Sequence, residues 1–258
     1  MSASARRWGA LWGDRPHAWA VTEEQQTPVY EAALQSVGLG RGDRVLDVGC
    51  GSGVFLRMCA DRGAIVSGLD ASEGLLALAR ARVPEADLRL GDLQALPYPD
   101  DSFGLVSGFT SFFFAADTIA AVREAARVAR PGAAVVIEVW GRPEHCEHEA
   151  VKQALARFRR GAGGKTRQAV WRPAIVEELV PQAGLTVDRA FDTTYDYAYG
   201  DDDAVADAML AAGGARAAAG AGREPELRAA ILRAVARYRQ PDGSYRLSNE
   251  WHVVIARA

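Results

Sequence analysis

The sequence predicts an α/β protein built on a doubly wound, mostly parallel β-sheet. From residue 44 onward, short apolar runs typical of buried strands alternate with longer segments whose apolar residues have helical spacing. The chain has 258 residues, of which 49% are hydrophobic, so it can bury one large core. Ligands of such sheets bind beyond the carboxyl ends of the strands, and we expect a site there.

The first half of the chain predicts five strands in βα alternation. These strands fall at residues 45–48, 64–70, 87–91, 103–108 and 133–140. Ser52, Ser72 and Asp117 precede helical segments, and each has a side-chain oxygen that can cap a helix. Pro131 and Gly132 predict a turn into the fifth strand.

The second half of the chain departs from strict alternation. It predicts, in order, an irregular polar segment, a helix, a strand and two further helices, at 142–170, 173–183, 185–195, 202–212 and 225–239. A final strand ends at Ile255. The chain thus predicts seven strands, with the last two helices as an insertion before the last strand.

Composition and charge narrow the classes of function. No apolar run reaches the roughly eighteen residues that a transmembrane helix needs. The net charge of −3 gives no general attraction to a nucleic-acid backbone. Cys50, Cys59 and Cys146 lack paired spacing, as is typical of reduced thiols, and no apolar leader is visible, so we expect a cytoplasmic protein. A small molecule is the expected partner, without nucleic acid or a membrane span; an oligomer is not indicated.

The loop after the first strand has the composition of a ligand-binding turn. It contains Gly49 and Gly51, which can adopt positive φ and let a ligand lie against bare backbone. The helix that follows offers free N–H groups to a carboxylate or phosphate. A structural turn is the alternative explanation of such glycines, so the loop needs support from neighbouring strands.

That support comes from two acidic strand ends. Asp70 ends the second strand, where a carboxylate can accept hydrogen bonds from both hydroxyls of a ribose. Asp92 ends the third strand and can accept from an adenine amino group, with the N–H of Leu93 directed at a ring nitrogen. Each aspartate alone is as well explained as a solvated helix cap. Together with the glycine loop they favour a nucleoside ligand.

Four stretches of the chain carry a family resemblance. They are VLDVGCGSG at 45–53, GLDAS at 68–72, GDLQALPYPDDSF at 91–103 and ARVARPGAAVVIEVW at 126–140. In these stretches the chain resembles class I S-adenosylmethionine-dependent methyltransferases, in the small-molecule branch that includes ubiquinone- and menaquinone-biosynthesis methyltransferases. The resemblance implies a Rossmann-like fold whose seventh strand is antiparallel, although residues 249–258 match that strand only loosely.

The resemblance also implies the ligand and the residues that bind it. The cofactor is S-adenosyl-L-methionine, the product is S-adenosyl-L-homocysteine, and a small organic acceptor takes the methyl group by in-line displacement. The implied cofactor-binding residues are Asp47, Gly49, Cys50, Gly51, Asp70, Ala71, Asp92, Leu93 and Phe109. Among them, Asp47 orients the ammonium group, while Phe109 passes beside the methionine end.

The chain is expected to form a single domain. Residues 1–40 form an N-terminal helical cover, residues 41–140 the cofactor-binding core, and residues 141–258 a substrate-side lid, the helical insertion and the closing strands. The segments 1–25 and 142–170 are expected to cover the active site.

Three other functions share part of this sequence pattern. A nicotinamide dehydrogenase shares a glycine-rich turn, but its fingerprint is G-x-G-x-x-G, whereas the third glycine here comes one residue early. An enzyme of the same fold that performs a reaction other than methylation remains an alternative, as does a non-catalytic cofactor-binding protein. The expected class is a methyltransferase, EC 2.1.1.-.

Histidines are the candidates for acid–base or metal chemistry. His17 lies among tryptophans in the N-terminal cover and is the candidate general base, with a surface or packing role as its alternative. Residues 144–148 read Glu-His-Cys-Glu-His, which are metal-ligand types, but no distant partner completes a set. We therefore expect no metal. The alternating Tyr195, Tyr197 and Tyr199 share one face of an extended segment and could form a pocket wall.

Overall fold

Seven strands form one sheet in the computed structural model, which describes residues 1–159, 173–215 and 222–258. The strands are β1 (Arg44–Val48), β2 (Ile65–Asp70), β3 (Asp87–Leu90), β4 (Phe103–Phe109), β5 (Ala129–Trp140), β6 (Thr186–Tyr199) and β7 (Tyr245–Arg257). Their order across the sheet is β3-β2-β1-β4-β5-β7-β6, and β7 runs antiparallel to both of its neighbours. The predicted α/β fold, with its antiparallel last strand, is confirmed.

Helices flank both faces of this sheet. Within the described residues they are α1 (Ala3–Trp12), α2 (Pro16–Glu24), α3 (Thr27–Val37), α4 (Val54–Asp61), α5 (Glu73–Arg82), α6 (Thr118–Val128), α7 (Glu149–Arg159), α8 (Pro173–Gln182), α9 (Asp202–Ala211) and α10 (Glu224–Val235). Of these helices, none combines the length and the apolar character needed to cross a bilayer.

Two hydrophobic cores lie on opposite faces of the sheet. One face packs against helices α3, α4, α7, α9 and α10, and its centre includes Phe55, Trp251 and Ile231. The other face packs against α6 and α8, with Val122 and Val180 buried against the sheet. The sheet is therefore covered on both sides, as the near-continuous apolar runs of its central strands require.

The N-terminal cover and the helical insertion are both present. Helices α9 and α10 stand between β6 and β7, and α1 to α3 precede β1. Arg15, before α2, forms an ion pair with Glu224 at the start of α10, at 2.5 Å. Gly9 of α1 approaches Ala71 so closely that a Cβ at residue 9 would lie 2.0 Å from the Ala71 carbonyl oxygen. The first helix is thus seated directly on the end of β2.

Several local predictions hold and two are wrong. Ser72 and Asp117 cap α5 and α6 by accepting amide hydrogen bonds. Residues 142–170 are not simply irregular, because residues 149–159 form α7; residues 160–170 lie outside the described ranges. The turn at Pro131 and Gly132 is instead an irregularity inside β5, which begins at Ala129.

Candidate active site

The glycine loop after β1 has the backbone conformation that its composition predicts. Gly49, Gly51 and Gly53 have φ angles of 82°, 54° and 83°, in the left-handed region that glycine adopts at low cost. A Cβ on Gly49 would lie 2.5 Å from the Ser111 Cβ, and one on Gly51 would lie 2.6 Å from a Glu23 carboxylate oxygen. Bare backbone is therefore required at both positions, because neighbouring side chains already fill the space.

Ser52 does not cap α4, so this prediction is wrong. Gly53 holds the N-cap position, and the Ser52 hydroxyl accepts a hydrogen bond from Arg82 at 2.7 Å. The Glu23 carboxylate instead accepts hydrogen bonds from the N–H groups of Ser52 at 2.8 Å and Val54 at 3.4 Å. An acidic side chain of the N-terminal cover thus takes the anion position at this helix start, which the sequence pattern assigns to a ligand.

Asp70 lies at the end of β2 beside the glycine loop. Its Oδ2 accepts a hydrogen bond from the Gly51 N–H at 2.9 Å, and its Oδ1 accepts from the Ser72 N–H at 2.8 Å. Burial raises the pKa of Asp70, although these amide hydrogen bonds oppose the shift. Each oxygen retains a lone pair that can accept a further hydrogen bond from a ligand hydroxyl.

Asp92 follows β3 and is tied to the start of α1. Its Oδ2 accepts a hydrogen bond from the Ser2 N–H at 2.6 Å, and its Oδ1 accepts from the Gln94 N–H at 3.1 Å. Burial raises the pKa of this carboxyl, but the hydrogen bonds outweigh burial and the net shift is downward. Asp92 is therefore a charged acceptor at the edge where the first helix closes over the sheet.

Asp47 lies at the carboxyl end of β1, almost fully buried at 4% exposure. The Ser107 hydroxyl donates a hydrogen bond to its Oδ1 at 2.7 Å. Burial raises the pKa of Asp47 to about 7, and the neighbouring Glu23 carboxylate adds to the increase. A carboxyl in this state favours a cation as its next neighbour, because a cation restores its ionised form.

One cavity brings all of the predicted cofactor-binding residues together. Its volume is about 840 Å³, counted with the open mouth. The predicted residues in its wall are Asp47, Gly49, Cys50, Gly51, Asp70, Ala71, Asp92, Leu93 and Phe109. They come from the carboxyl ends of four adjacent parallel strands, which is where ligands bind in sheets of this topology.

Aromatic side chains, most of them from the N-terminal cover, form another part of the cavity wall. Trp8, Trp12 and Trp19 line it together with Tyr30 and Phe114. The Trp8 and Phe114 ring centroids are 4.7 Å apart, and those of Trp12 and Trp19 are 4.5 Å apart. These rings give the cavity an apolar side facing the acidic strand ends, which is the usual composition of a small-molecule site.

Charge in the cavity wall is of one sign. Glu23, Asp47, Asp70 and Asp92 line it, while no lysine, arginine or histidine does so among the described residues. The wall contains no residue beyond Ala115 within the described ranges, so residues 141–258 contribute none of the lid expected from the sequence at this cavity. A ligand with positive charge matches this wall better than an anion does.

Thr110 adds a strained backbone position at the same place. It is β-branched, yet its φ is 47°, in the left-handed region that such residues rarely adopt. Its N–H donates to the Glu138 carbonyl oxygen at 3.0 Å, which holds the turn after β4. Strain of this kind is concentrated at ligand sites, and Thr110 does line the cavity.

A family model described as a methyltransferase domain matches residues 46–137, which run from β1 into β5 and carry the glycine loop and both acidic strand ends. This segment is a methyltransferase domain.

Curated relatives cover the methyltransferase domain and part of its flanks. The 27-O-demethylrifamycin SV methyltransferase of Amycolatopsis mediterranei is 36% identical over 135 residues, which are 47% of this chain and 50% of that protein. A demethylmenaquinone methyltransferase of Mycobacterium sp. (strain KMS) is 32% identical over 156 residues, 58% of this chain and 66% of the relative. The chain spans about half the length of most of the first curated relatives it matches.

The fold as a whole is shared with solved structures. A putative methyltransferase from Bacillus halodurans superposes with a TM-score of 0.61 at 17% identity, covering 88% of this chain and 97% of that one. At this identity the likeness shows the fold.

His17 does not line the cavity described above. It is exposed and is absent from the cavity wall, whereas Trp19 of the same helix is in the wall. Two residues along a helix turn the side chain by about 200°, so His17 faces away when Trp19 faces the cavity. The structure therefore gives His17 no access to a ligand there.

The histidines after β5 anchor the chain to β7. His145 Nδ1 lies 2.6 Å from a Glu250 carboxylate oxygen, and Arg142 pairs with the same carboxylate at 2.8 Å. The Arg142 hydrogen bond lowers the pKa of Glu250 to about 2. His148 stacks on Trp140, and burial lowers the pKa of its ring to about 3. No group of three or more metal-ligand side chains forms a site in the described part of the chain.

The three alternating tyrosines share one face, as predicted, but they belong to the core. Tyr195 stacks on Trp251 with ring centroids 5.6 Å apart, and Tyr197 and Tyr199 are 2% and 5% exposed. None of the three lines the cavity described above. Of the three phenylalanines at 112–114, Phe112 is buried in the second core, while Phe114 does reach the cavity wall.

Sequence reasoning missed Glu23, Gln26 and Tyr30 in the cavity wall, whereas Ser111 belongs to the 109–111 segment that the family resemblance places beside the methionine end. The Ser111 hydroxyl donates to the Val48 carbonyl oxygen at 2.6 Å and so fixes the turn after β4 against the glycine loop. The Tyr30 hydroxyl donates to Gln26 Oε1 at 2.7 Å. Residues 22–27 are all polar or charged, so nothing in the sequence marks Glu23 or Gln26 among their neighbours.

Proposed function

We propose that the chain is an S-adenosylmethionine-dependent methyltransferase that transfers the sulfonium methyl group to a small organic acceptor and releases S-adenosylhomocysteine. The observation that supports this most is the single cavity in which the glycine loop, Asp70 and Asp92 meet. The methyltransferase domain of residues 46–137 supports the same reading. Residues 1–40 act as its cover, and the chain works as one domain.

The residues present fit the proposed cofactor. Asp70 has free lone pairs beside the Gly51 amide and is assigned to the ribose hydroxyls. Asp92 and Leu93 stand at the next strand end and are assigned to the adenine. The bare backbone of Gly49 and Gly51 lines the cavity and is assigned to the methionine part, with Phe109 and Ala71 as apolar contacts.

The cofactor supplies an activated methyl group, so the chain contributes alignment and the exclusion of water. The glycine loop and Asp47 fix one end of the ligand, and Asp92 fixes the other. The tryptophans of α1 and α2 close the cavity on the side opposite the sheet. Without a nearby histidine or lysine in the described wall, an acceptor that needs little deprotonation, such as an amine, is favoured.

The acidic wall also bears on partners and location. Four carboxylates favour a neutral or cationic acceptor over a phosphate-bearing one or a nucleic acid. The three cysteines are free and buried, which supports a reducing compartment and hence the cytoplasm as the proposed location.

The test is release of S-adenosylhomocysteine across a panel of amines, phenols, thiols, carbon acids and carboxylic acids. Acceptor-dependent release is expected for neutral or cationic acceptors and is expected to vanish in Gly49→Val, whose branched side chain would collide with Ser111. Product formation that survives in Gly49→Val would refute the proposed site. Cofactor binding with no methylated product from any acceptor class would favour a different reaction on the same fold.

A further inference from the structure

Glu23 belongs to the N-terminal cover but makes its contacts in the glycine loop. It ends helix α2 within one residue, is 4% exposed, and lines the cavity. Its carboxylate accepts the Ser52 N–H at 2.8 Å, and its oxygens lie 2.6 to 3.0 Å from the position of a Cβ on Gly51. A second hydrogen bond, from the Val54 N–H at 3.4 Å, ties the same carboxylate to the start of the next helix.

A second carboxyl, Asp47, lies near Glu23 in the same wall. Each carboxyl is almost fully buried, and the Glu23 carboxylate makes Asp47 harder to ionise. Ser107 and backbone amides satisfy part of their hydrogen-bonding capacity but bring no full positive charge.

The positive charge of Arg82 favours the ionised form of Glu23, but the Arg82 guanidinium forms its hydrogen bonds with other residues. It donates to the Ser52 hydroxyl at 2.7 Å and pairs with Glu24 at 2.5 Å, and it is absent from the cavity wall. The twin carboxyls Glu23 and Asp47 therefore face a cavity in which the described wall offers no compensating cation. A ligand with positive charge at this end of the cavity would stabilise both ionised forms.

We propose that Glu23 is a specificity-determining residue that makes the cavity favour the sulfonium cofactor over its thioether product, which carries one positive charge less. Both ligands share the ammonium group assigned to Asp47, whereas Glu23 lies beside Gly51, whose N–H donates to Asp70 of the proposed ribose site next to the sulfur. The inference rests on the proposed function, because it presumes that the cofactor binds in this cavity. It assigns to the N-terminal cover a direct part in reading ligand charge, in addition to closing the cavity.

The sulfonium charge, which Glu23 is proposed to attract, disappears during the reaction. When the acceptor's lone pair forms a bond to the methyl carbon, the carbon–sulfur bond breaks and its electron pair stays on sulfur. The ligand thereby loses one positive charge, which passes to the methylated acceptor or leaves as a proton. Glu23 then faces a neutral sulfur, so the attraction that favoured the substrate form no longer holds the product.

The experiment compares three ligands by calorimetry on the full chain. The ligands are S-adenosylmethionine, S-adenosylhomocysteine and sinefungin, an analogue with a protonatable amine in place of the sulfonium methyl. Glu23→Gln keeps an oxygen to accept the Ser52 N–H but removes the charge. Kd is expected to rise about tenfold for the two cationic ligands and less than about threefold for the thioether.

The matched control is Glu24→Gln, one residue along, because Glu24 is exposed and outside the cavity wall. This variant is expected to leave all three Kd values within about twofold. Equal weakening of the three ligands by Glu23→Gln, or no weakening, would overturn the inference. If the wild-type chain binds none of the three, the proposed function fails instead. If Glu23→Gln does not fold, Glu23→Asp takes its place, because it moves the carboxylate away by one methylene. In Glu23→Asp too, Kd must rise more for the two cationic ligands than for the thioether.

Discussion

At the scale of single residues, Gly51 is the position on which the site depends. Its N–H donates to Asp70 on one side, and Glu23 lies against its Cα on the other. Two carboxylates from different parts of the chain thus hold one glycine of the loop. The two proposed roles can be tested separately. Asp70 is placed to accept hydrogen bonds from neutral ribose hydroxyls, whereas Glu23 is proposed to attract the positive charge of the sulfonium.

Asp70→Asn tests the ribose assignment. An amide offers one oxygen in place of two, so it cannot serve the Gly51 and Ser72 amides and two ligand hydroxyls together. We expect all three ligands named above to bind about tenfold more weakly, since the ribose is common to them and hydrogen bonds to charged groups contribute about 1.5–3 kcal/mol. Calorimetry measures this, with far-UV circular dichroism as the folding control. Unchanged affinity in a folded variant would remove Asp70 from the site.

Gly49→Ala separates backbone strain from loss of space. The φ of Gly49 is 82° and that of Gly132 is 78°, so alanine at either position costs about 1–2 kcal/mol in the left-handed region. A Cβ at Gly49 would meet Ser111 at 2.5 Å, whereas nothing lies within 4 Å of one at Gly132. We therefore expect Gly49→Ala to lose more stability than Gly132→Ala, as measured by urea unfolding, and cofactor binding to weaken only in Gly49→Ala. Equal binding by the two variants would contradict the geometry of the loop.

At the scale of elements, helix α1 is the part of the cover that closes the adenine edge. Ser2, at its N-cap, donates to Asp92, and Gly9 lies on Ala71. The helix therefore contacts two successive strand ends along its length. Small residues at its inner face allow this close approach, because a side chain at residue 9 would enter the backbone of residue 71.

Gly9→Val is expected to lift α1 without unfolding the sheet. Amide hydrogen exchange in residues 3–12 should become faster, and cofactor Kd should rise by about tenfold or more as the adenine edge is exposed to water. Ala10→Val, on the exposed side of the same helix, is the control for the lower helix propensity of valine. If both variants exchange alike and bind alike, α1 does not close the site.

At the scale of the whole molecule, the buried acids set how stability depends on pH. Burial raises the pKa of Asp47 and of Glu23 to about 7. Unfolded carboxyls titrate near pH 4, so between about pH 4 and 7 the folded protein keeps protons that the unfolded chain releases. Each of these groups therefore lowers the stability of the ligand-free protein as the pH rises through this window, and has no such effect below it.

Asp47→Asn should remove one of these contributions. The stability of the variant relative to wild type is expected to increase between about pH 4 and 7, because asparagine has no proton to lose. Urea unfolding of the ligand-free proteins at three pH values in this range measures the difference. A difference that stays constant with pH would mean that Asp47 ionises equally readily in the folded and unfolded states.

The sequence predicts the sheet and half of the site because both are local patterns. Apolar runs place the strands, and Asp70 and Asp92 are recognisable because each directly follows one. Glu23 has no such marker, since its partner Ser52 is 29 residues away and the packing of α2 on the sheet edge decides which face of the helix meets the loop. The sequence likewise cannot show that His17 faces solvent, because tertiary contacts decide which side of helix α2 faces the cavity.

The tryptophans that close the cavity make its closure observable by intrinsic fluorescence. Trp8, Trp12 and Trp19, three of the six in the chain, line the cavity beside carboxylates, while Trp251 is fixed within the core. Indole emission depends on nearby charge and on contact with water, so docking or lifting of the cover changes the colour and yield of these three and leaves the core indole as a constant background. The protein thus carries its own fluorescent reporter, and rapid mixing with a ligand can time the closing of the site without any added label.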